Sequence, residues 1–124
     1  CKNIEWDDSV SPSESMNKSN ILISDTSSIR FDFLFVHNKP VITLDINRDE
    51  MKGYEREYID IDWTDRSSYD IGPVLKKEHI HKLESKIRLS FNSVDKSKLL
   101  KYRDKTIYNF GKGANSITDF FINH

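Results

Sequence analysis

The run Asn20-Ile21-Leu22-Ile23-Ser24-Asp25-Thr26-Ser27-Ser28-Ile29-Arg30-Phe31-Asp32-Phe33-Leu34 constrains this chain more than any other. A short apolar stretch stops at an acid and three hydroxyl side chains, then apolar residues resume with helical spacing. This predicts a buried strand over 21–24, a tight turn over 25–28 and a helix over 27–37. Ile29, Phe33 and Val36 share one face of that helix, and Phe31, Leu34 and Phe35 another, so it should be buried on two sides. Asn38-Lys39-Pro40 ends it, because proline cannot continue a helix, and Val41-Ile42-Thr43-Leu44 reads as the next strand. Strand, helix and strand joined by short links form the unit of a parallel sheet with right-handed crossovers. The turn then lies at the carboxyl end of its strand, where open α/β sheets take their ligands.

Length and composition narrow the class. At 124 residues, with 36% hydrophobic and 31% charged side chains, the chain is one domain by length and able to bury a core. A net charge of −1 gives no sign of a nucleic-acid surface. The single cysteine, Cys1, excludes a disulfide framework and fits a cytosolic compartment. No apolar run approaches the ~20 residues of a membrane span. The chain begins with Cys rather than Met and is expected to be a piece of a longer protein.

The remaining elements follow from punctuation and period. Residues 3–6 form a short strand candidate. Ser11-Pro12-Ser13-Glu14 has the order of a capping box and predicts a short helix to about Lys18. After Leu44 the chain turns polar. Residues 48–57 suit a helix, 58–63 an edge strand or extended loop, and 65–69 a loop. Gly72-Pro73 turns into Val74-Leu75. Ile80, Leu83, Ile87 and Phe91 mark an amphipathic helix over 77–91. A second helix spans 95–108 with Leu99, Leu100 and Ile107. Gly111-Lys112-Gly113 breaks it, and 116–122 closes the chain with Ile117, Phe120 and Phe121 as anchors.

Two readings stand for each candidate site. In the first, Thr26, Ser27 and Ser28 offer hydroxyls and free amides to a diphosphate at a positive helix end, while Asp25 braces the turn. In the second, the same residues simply cap a helix. Asp32 either anchors a polar ligand group or pairs with Arg30 or Lys39. Gly72 either belongs to a lid or to a connector. Lys112 and Ser116 either make a second anion contact or mark a glycine helix cap, since the segment is too short for a P-loop. His37, His79, His81 and His124 lie in no spacing that makes a metal site, and no catalytic triad or carboxylate pair can be built. No cofactor is expected.

The run 21–34 together with Asn38-Lys39-Pro40-Val41-Ile42 resembles the CDP-glycerol glycerophosphotransferase family, the teichoic-acid polymerases and primases. That family shows a strand, an Asp-Tyr-Ser-Ser turn, a helix with Phe-Asp and a Lys-Pro strand. Gly72-Pro73-Val74-Leu75 and the segment from Tyr108 to Ser116 look like its later elements. The resemblance spans about residues 4–122. It implies a Rossmann-like α/β domain forming the C-terminal, nucleotide-binding half of a GT-B architecture. It implies an enzyme that binds CDP-glycerol or a related nucleotide-activated donor through Thr26, Ser27 and Ser28. It also implies a polymer or lipid-linked acceptor held by an N-terminal domain, at the inner face of the cell membrane, with no nucleic acid. Thr26 stands where the family often has Tyr. The family's histidine motifs lie upstream, so the catalytic residues are unknown from this chain and the piece alone is expected to be inactive. A glycosyltransferase using a nucleotide sugar and a non-catalytic α/β interaction module are the alternatives.

Overall fold

A computed structural model describes residues 3–45, 63–93 and 95–123. Three parallel strands lie in the order β1 (Leu22–Ser24), β2 (Val41–Asp45), β3 (Val74–Lys76). Helices alternate with them: α1 (Ser13–Lys18) before β1, α2 (Ile29–His37) between β1 and β2, and α3 (Trp63–Ile71) before β3. A 3₁₀ segment (Lys77–Lys82) then leads into α4 (Leu83–Ser93), α5 (Lys96–Thr106) and α6 (Gly113–Asn123). The described chain is an α/β structure with a parallel sheet, compatible with a Rossmann-like fold.

The register sets the geometry of the rims. Ser24 is level with Thr43, and Thr43 with Val74. The carboxyl ends of β1, β2 and β3 therefore share one rim, which carries the 25–28 turn, Asp45 and Lys76. Gly72 lies at the other rim. A Cβ built there would stand 2.1 Å from the Val41 carbonyl oxygen, and the Thr43 amide bonds the Pro73 carbonyl at 2.9 Å. Gly72 is thus a close-approach glycine that lets the chain enter β3 beside β2. It stands at the rim opposite the turn.

The core is built on α2. Phe31, Phe33, Leu34 and Phe35 are buried and meet Met16 of α1, Val41 of β2 and Ile71 of α3, with Leu99 and Tyr102 of α5 packed against them. The expectation of a helix buried on two sides needs one amendment: Asp32 and Val36, four residues apart, form an exposed strip. Asn38 closes α2 in the left-handed conformation (φ 50°), its amide bonding the Leu34 carbonyl at 2.9 Å. The Lys39 ammonium donates to the carbonyl oxygens of Asn17 and Ser19, both at 2.7 Å, and so caps α1 from the entry to β2.

Several sequence expectations are corrected. Among the described residues β1 is an edge strand, with Ile23 38% exposed, not a buried one. Residues 3–6 form no strand; Ile4 and Trp6 are exposed. The capping box does not close: Pro12 is the cap residue, and Glu14 pairs with Lys18 instead. The 65–69 loop is part of helix α3. Its inward positions are Ser67 and Ser68, which broke the apolar stripe that would have announced it. Ile80 falls in a 3₁₀ turn, with three residues per turn rather than 3.6, so it is out of phase with Leu83 and Ile87 and stays exposed. α5 ends at Thr106, and Gly111 (φ 72°) belongs to the connector, not to a helix cap. Ile117, Phe120 and Phe121 are 60, 58 and 76% exposed rather than core anchors. The period identified an apolar face but not what that face meets. The helix expected over 48–57, and 58–62 of the edge strand or loop, lie outside the described residues; Trp63 opens α3.

Candidate functional site at the β1–α2 turn

The turn closes on itself in two places. Asp25 Oδ1 accepts the Ser27 amide at 2.9 Å, and Ser27 Oγ accepts the Ile29 amide at 3.4 Å. These are the local side-chain caps that aspartate and serine make in turns. Ser28 is the cap residue of α2 but makes no side-chain cap bond. Asp25, Ser27 and Ser28 are exposed and Thr26 is half-buried.

Arg30, one turn later, is fully buried. Its guanidinium folds back beneath the turn. Nη2 donates to the Thr26 carbonyl at 2.9 Å and Nε to the Ser27 carbonyl at 2.8 Å. Nη1 donates to Thr43 Oγ1 at 3.0 Å and to Ser68 Oγ at 2.6 Å. Four donors are thus spent on the turn, on β2 and on α3. Hydrogen bonds from a charged, rigid fork are the stronger kind and fix geometry as well as energy.

This anchoring has a consequence for the amides. In a planar trans peptide the C=O and N–H point in opposite directions. With the Thr26 and Ser27 carbonyls drawn inward by Arg30, the Ser27 and Ser28 N–H groups face outward. Ser27 N–H is taken by Asp25. Among the described residues, Ser28 N–H has no hydrogen-bond partner. An anion meeting that face would feel the α2 dipole and a guanidinium behind the peptide plane. It would also meet the Asp25 carboxylate, which repels it. The favourable and unfavourable charges are both within one turn, so anion affinity depends on Asp25 turning aside.

The other candidate residues are dispersed. Asp32 sits exposed in the first turn of α2, where its charge suits the helix dipole. It does not pair with Arg30 or Lys39 at the rim: Arg30 is internal and Lys39 caps α1. Ser116 accepts the Asn109 side-chain amide at 2.9 Å, and Lys112 is exposed ahead of α6. Neither hydrogen-bonds to the turn. Gly72 is at the far rim. Among the described residues no group of three His, Cys, Asp or Glu side chains gathers to hold a metal, and no helix is long and apolar enough to cross a membrane.

Arg30, Thr43 and Ser68 are the residues that sequence reasoning did not place in the site. A signal existed for Arg30: it lies three and four residues before Phe33 and Leu34, on their buried face. Ser68 carried none, because a serine inside a helix reads as a surface residue. Comparison of the chain with protein-family models, with curated proteins and with solved structures gave no match.

Proposed function

We propose that the chain is the donor-binding part of a transferase, and that the 25–28 turn takes the diphosphate of a nucleotide-activated donor. CDP-glycerol is the donor named by the sequence resemblance. The observation that carries this reading is the outward-facing Ser28 amide, set by Arg30 at the carboxyl rim of a parallel sheet. Transfer of a phosphoryl group asks chiefly for charge neutralisation and positioning. Thr26, Ser27 and Ser28 would hold the donor's diphosphate, of which one phosphate leaves with CMP and the other passes to the acceptor with the glycerol, while Asp25 shapes the turn. The acceptor and the general base would belong to the other half of a GT-B enzyme working at the inner face of the membrane.

Isothermal calorimetry tests it. CDP-glycerol should bind, and Ser27→Ala with Ser28→Ala should weaken binding at least tenfold. A preference for a UDP-sugar would move the donor to the nucleotide-sugar class. No heat with any nucleotide would favour an α/β interaction module. One contact favours that alternative: the Asp25 carboxylate accepts the Ser27 amide and stands in the way of an anion.

A further inference from the structure

Helix α3 touches the core through an unusual set of groups. Trp63 stacks on Phe31 at 4.9 Å between ring centroids. The Arg30 guanidinium lies over the other partner of that pair, 5.4 Å from the Phe31 ring centre. Ser68 accepts from Arg30 at 2.6 Å, and Ile71, buried, closes the far end of α3. So Trp63, Phe31 and Arg30 form a continuous row from α3 to the turn carbonyls. Among the described side chains, α3 sets against this row one ring, 45% exposed, and the Ser68 hydroxyl. Elements held by few apolar contacts open at lower free energy than the core they rest on.

We propose that α3 is a control element for the β1–α2 turn: docked, it holds Arg30 in the fork that draws the Thr26 and Ser27 carbonyls inward, and undocked, it frees the turn and withdraws the outward amide. The polar bond to Ser68 and the aromatic step through Trp63 and Phe31 both enter Arg30, so loosening either end of α3 reaches the turn. Because linkage is reciprocal, whatever binds the ordered turn also favours docked α3. The coupling is a property of the chain alone. Its use in regulating ligand capture rests on the reading of the turn as a phosphate site.

Amide hydrogen exchange followed by NMR on the full chain, without ligand, tests the coupling. Two variants act on α3 and leave the turn's own residues intact: Ser68→Ala removes an acceptor, and Trp63→Ala removes the half-exposed ring. Both should raise exchange at Ser27 and Arg30, whose amides are bonded within the turn, about tenfold while amides of β2 stay protected. Faster exchange in α3 with an unchanged turn, in either variant, would overturn the proposal. Should Ser68→Ala fail to fold, Trp63→Ala alone decides. A nucleotide titration of the same samples is read separately: coupling with no nucleotide binding would sink the donor reading and leave the control element standing.

Discussion

At the scale of single residues, two positions hold more of the structure than their side chains suggest. Arg30 satisfies two turn carbonyls and two buried hydroxyls at once. Arg30→Met would keep the apolar stem but strand those acceptors, and charged hydrogen bonds contribute about 1.5–3 kcal/mol each without full additivity. A loss of about 3 kcal/mol in urea unfolding is expected. Arg30→Lys should recover only part of it, since an ammonium cannot reproduce the fork; equal stability of wild type and Arg30→Met would show that the network contributes little. Gly72 is the second position. Its alanine variant drives a methyl to 2.1 Å from the Val41 carbonyl oxygen, a backbone atom that cannot swing aside, so β2 or β3 must shift. Overpacking of this kind costs roughly 1–3 kcal/mol, and a Gly72→Ala protein melting like wild type would contradict the strand register. Asp7 gives a pH signature. Its carboxylate accepts from Ser15 and Ser9, which holds its pKa at about 2 against 3.8. The bonds that tie the 7–9 segment to α1 are therefore present above pH 4 and lost as the pH falls through about 2. NMR shifts of Ser9 and Ser15 should titrate in that window, and Asp7→Asn should abolish the change.

At the scale of elements, the legible and illegible parts of the fold divide on physical grounds. The β1–α2–β2 unit could be read because its strands and helix are marked by apolar runs and by sharp punctuation at Asp25 and Pro40. β3 was visible as Val74-Leu75 after Gly72-Pro73, although the reason for Gly72 was not, because close approach to Val41 is a long-range fact. α3 was hidden because serines occupy its inward face. The turn itself was legible, and its Asp25 brace with it. The buried Arg30 beneath was missed despite its place on the Phe33–Leu34 face, since charge usually signals the surface. α5 was recognised with Asp95 at its start, and the structure shows why the boundary is firm: Asp95 Oδ1 accepts the Ser97 and Lys98 amides at 2.9 and 3.3 Å. Tyr102 fixes α5 to Phe35 by ring stacking at 6.3 Å. Partial burial raises its phenol pKa above 10.0, with hydrogen bonds to Thr106 and Ser67 opposing. A raised pKa in the folded state means that the contribution is whole below pH 10 and fades as the pH climbs through the folded value. Ultraviolet titration should show a component above the ordinary tyrosine value of 10.0. Tyr102→Phe should remove that component, and its absence from the wild type would refute the packing.

At the scale of the whole molecule, the near-neutral total conceals a division. Residues 1–75 carry eight Lys and Arg against fifteen Asp and Glu, a balance of −7, and residues 76–124 carry eleven against five, a balance of +6. Lys76, Lys77 and Lys82 are exposed at and just beyond the carboxyl end of β3, and Lys98, Lys101 and Lys105 are exposed along α5. Among the described residues none of these six has a carboxylate within ion-pair distance. The effect on the turn is limited by distance. Lys76 ends a strand two places from β1, about 10 Å across the sheet, while the screening length is about 8 Å at physiological salt. It can draw an anion toward the rim at low ionic strength but holds little of it at 0.15 M. Surface retention is a different matter, because an ion-exchange resin samples the positive face by itself. The protein should bind a cation exchanger at pH 7.5, above its pI of about 6.5, and elute with modest salt. Reversing Lys98, Lys101 and Lys105 to Glu should send it into the flow-through with little change in melting, since these side chains face solvent. Flow-through of the wild-type chain would mean that the acidic and basic parts neutralise one another in space.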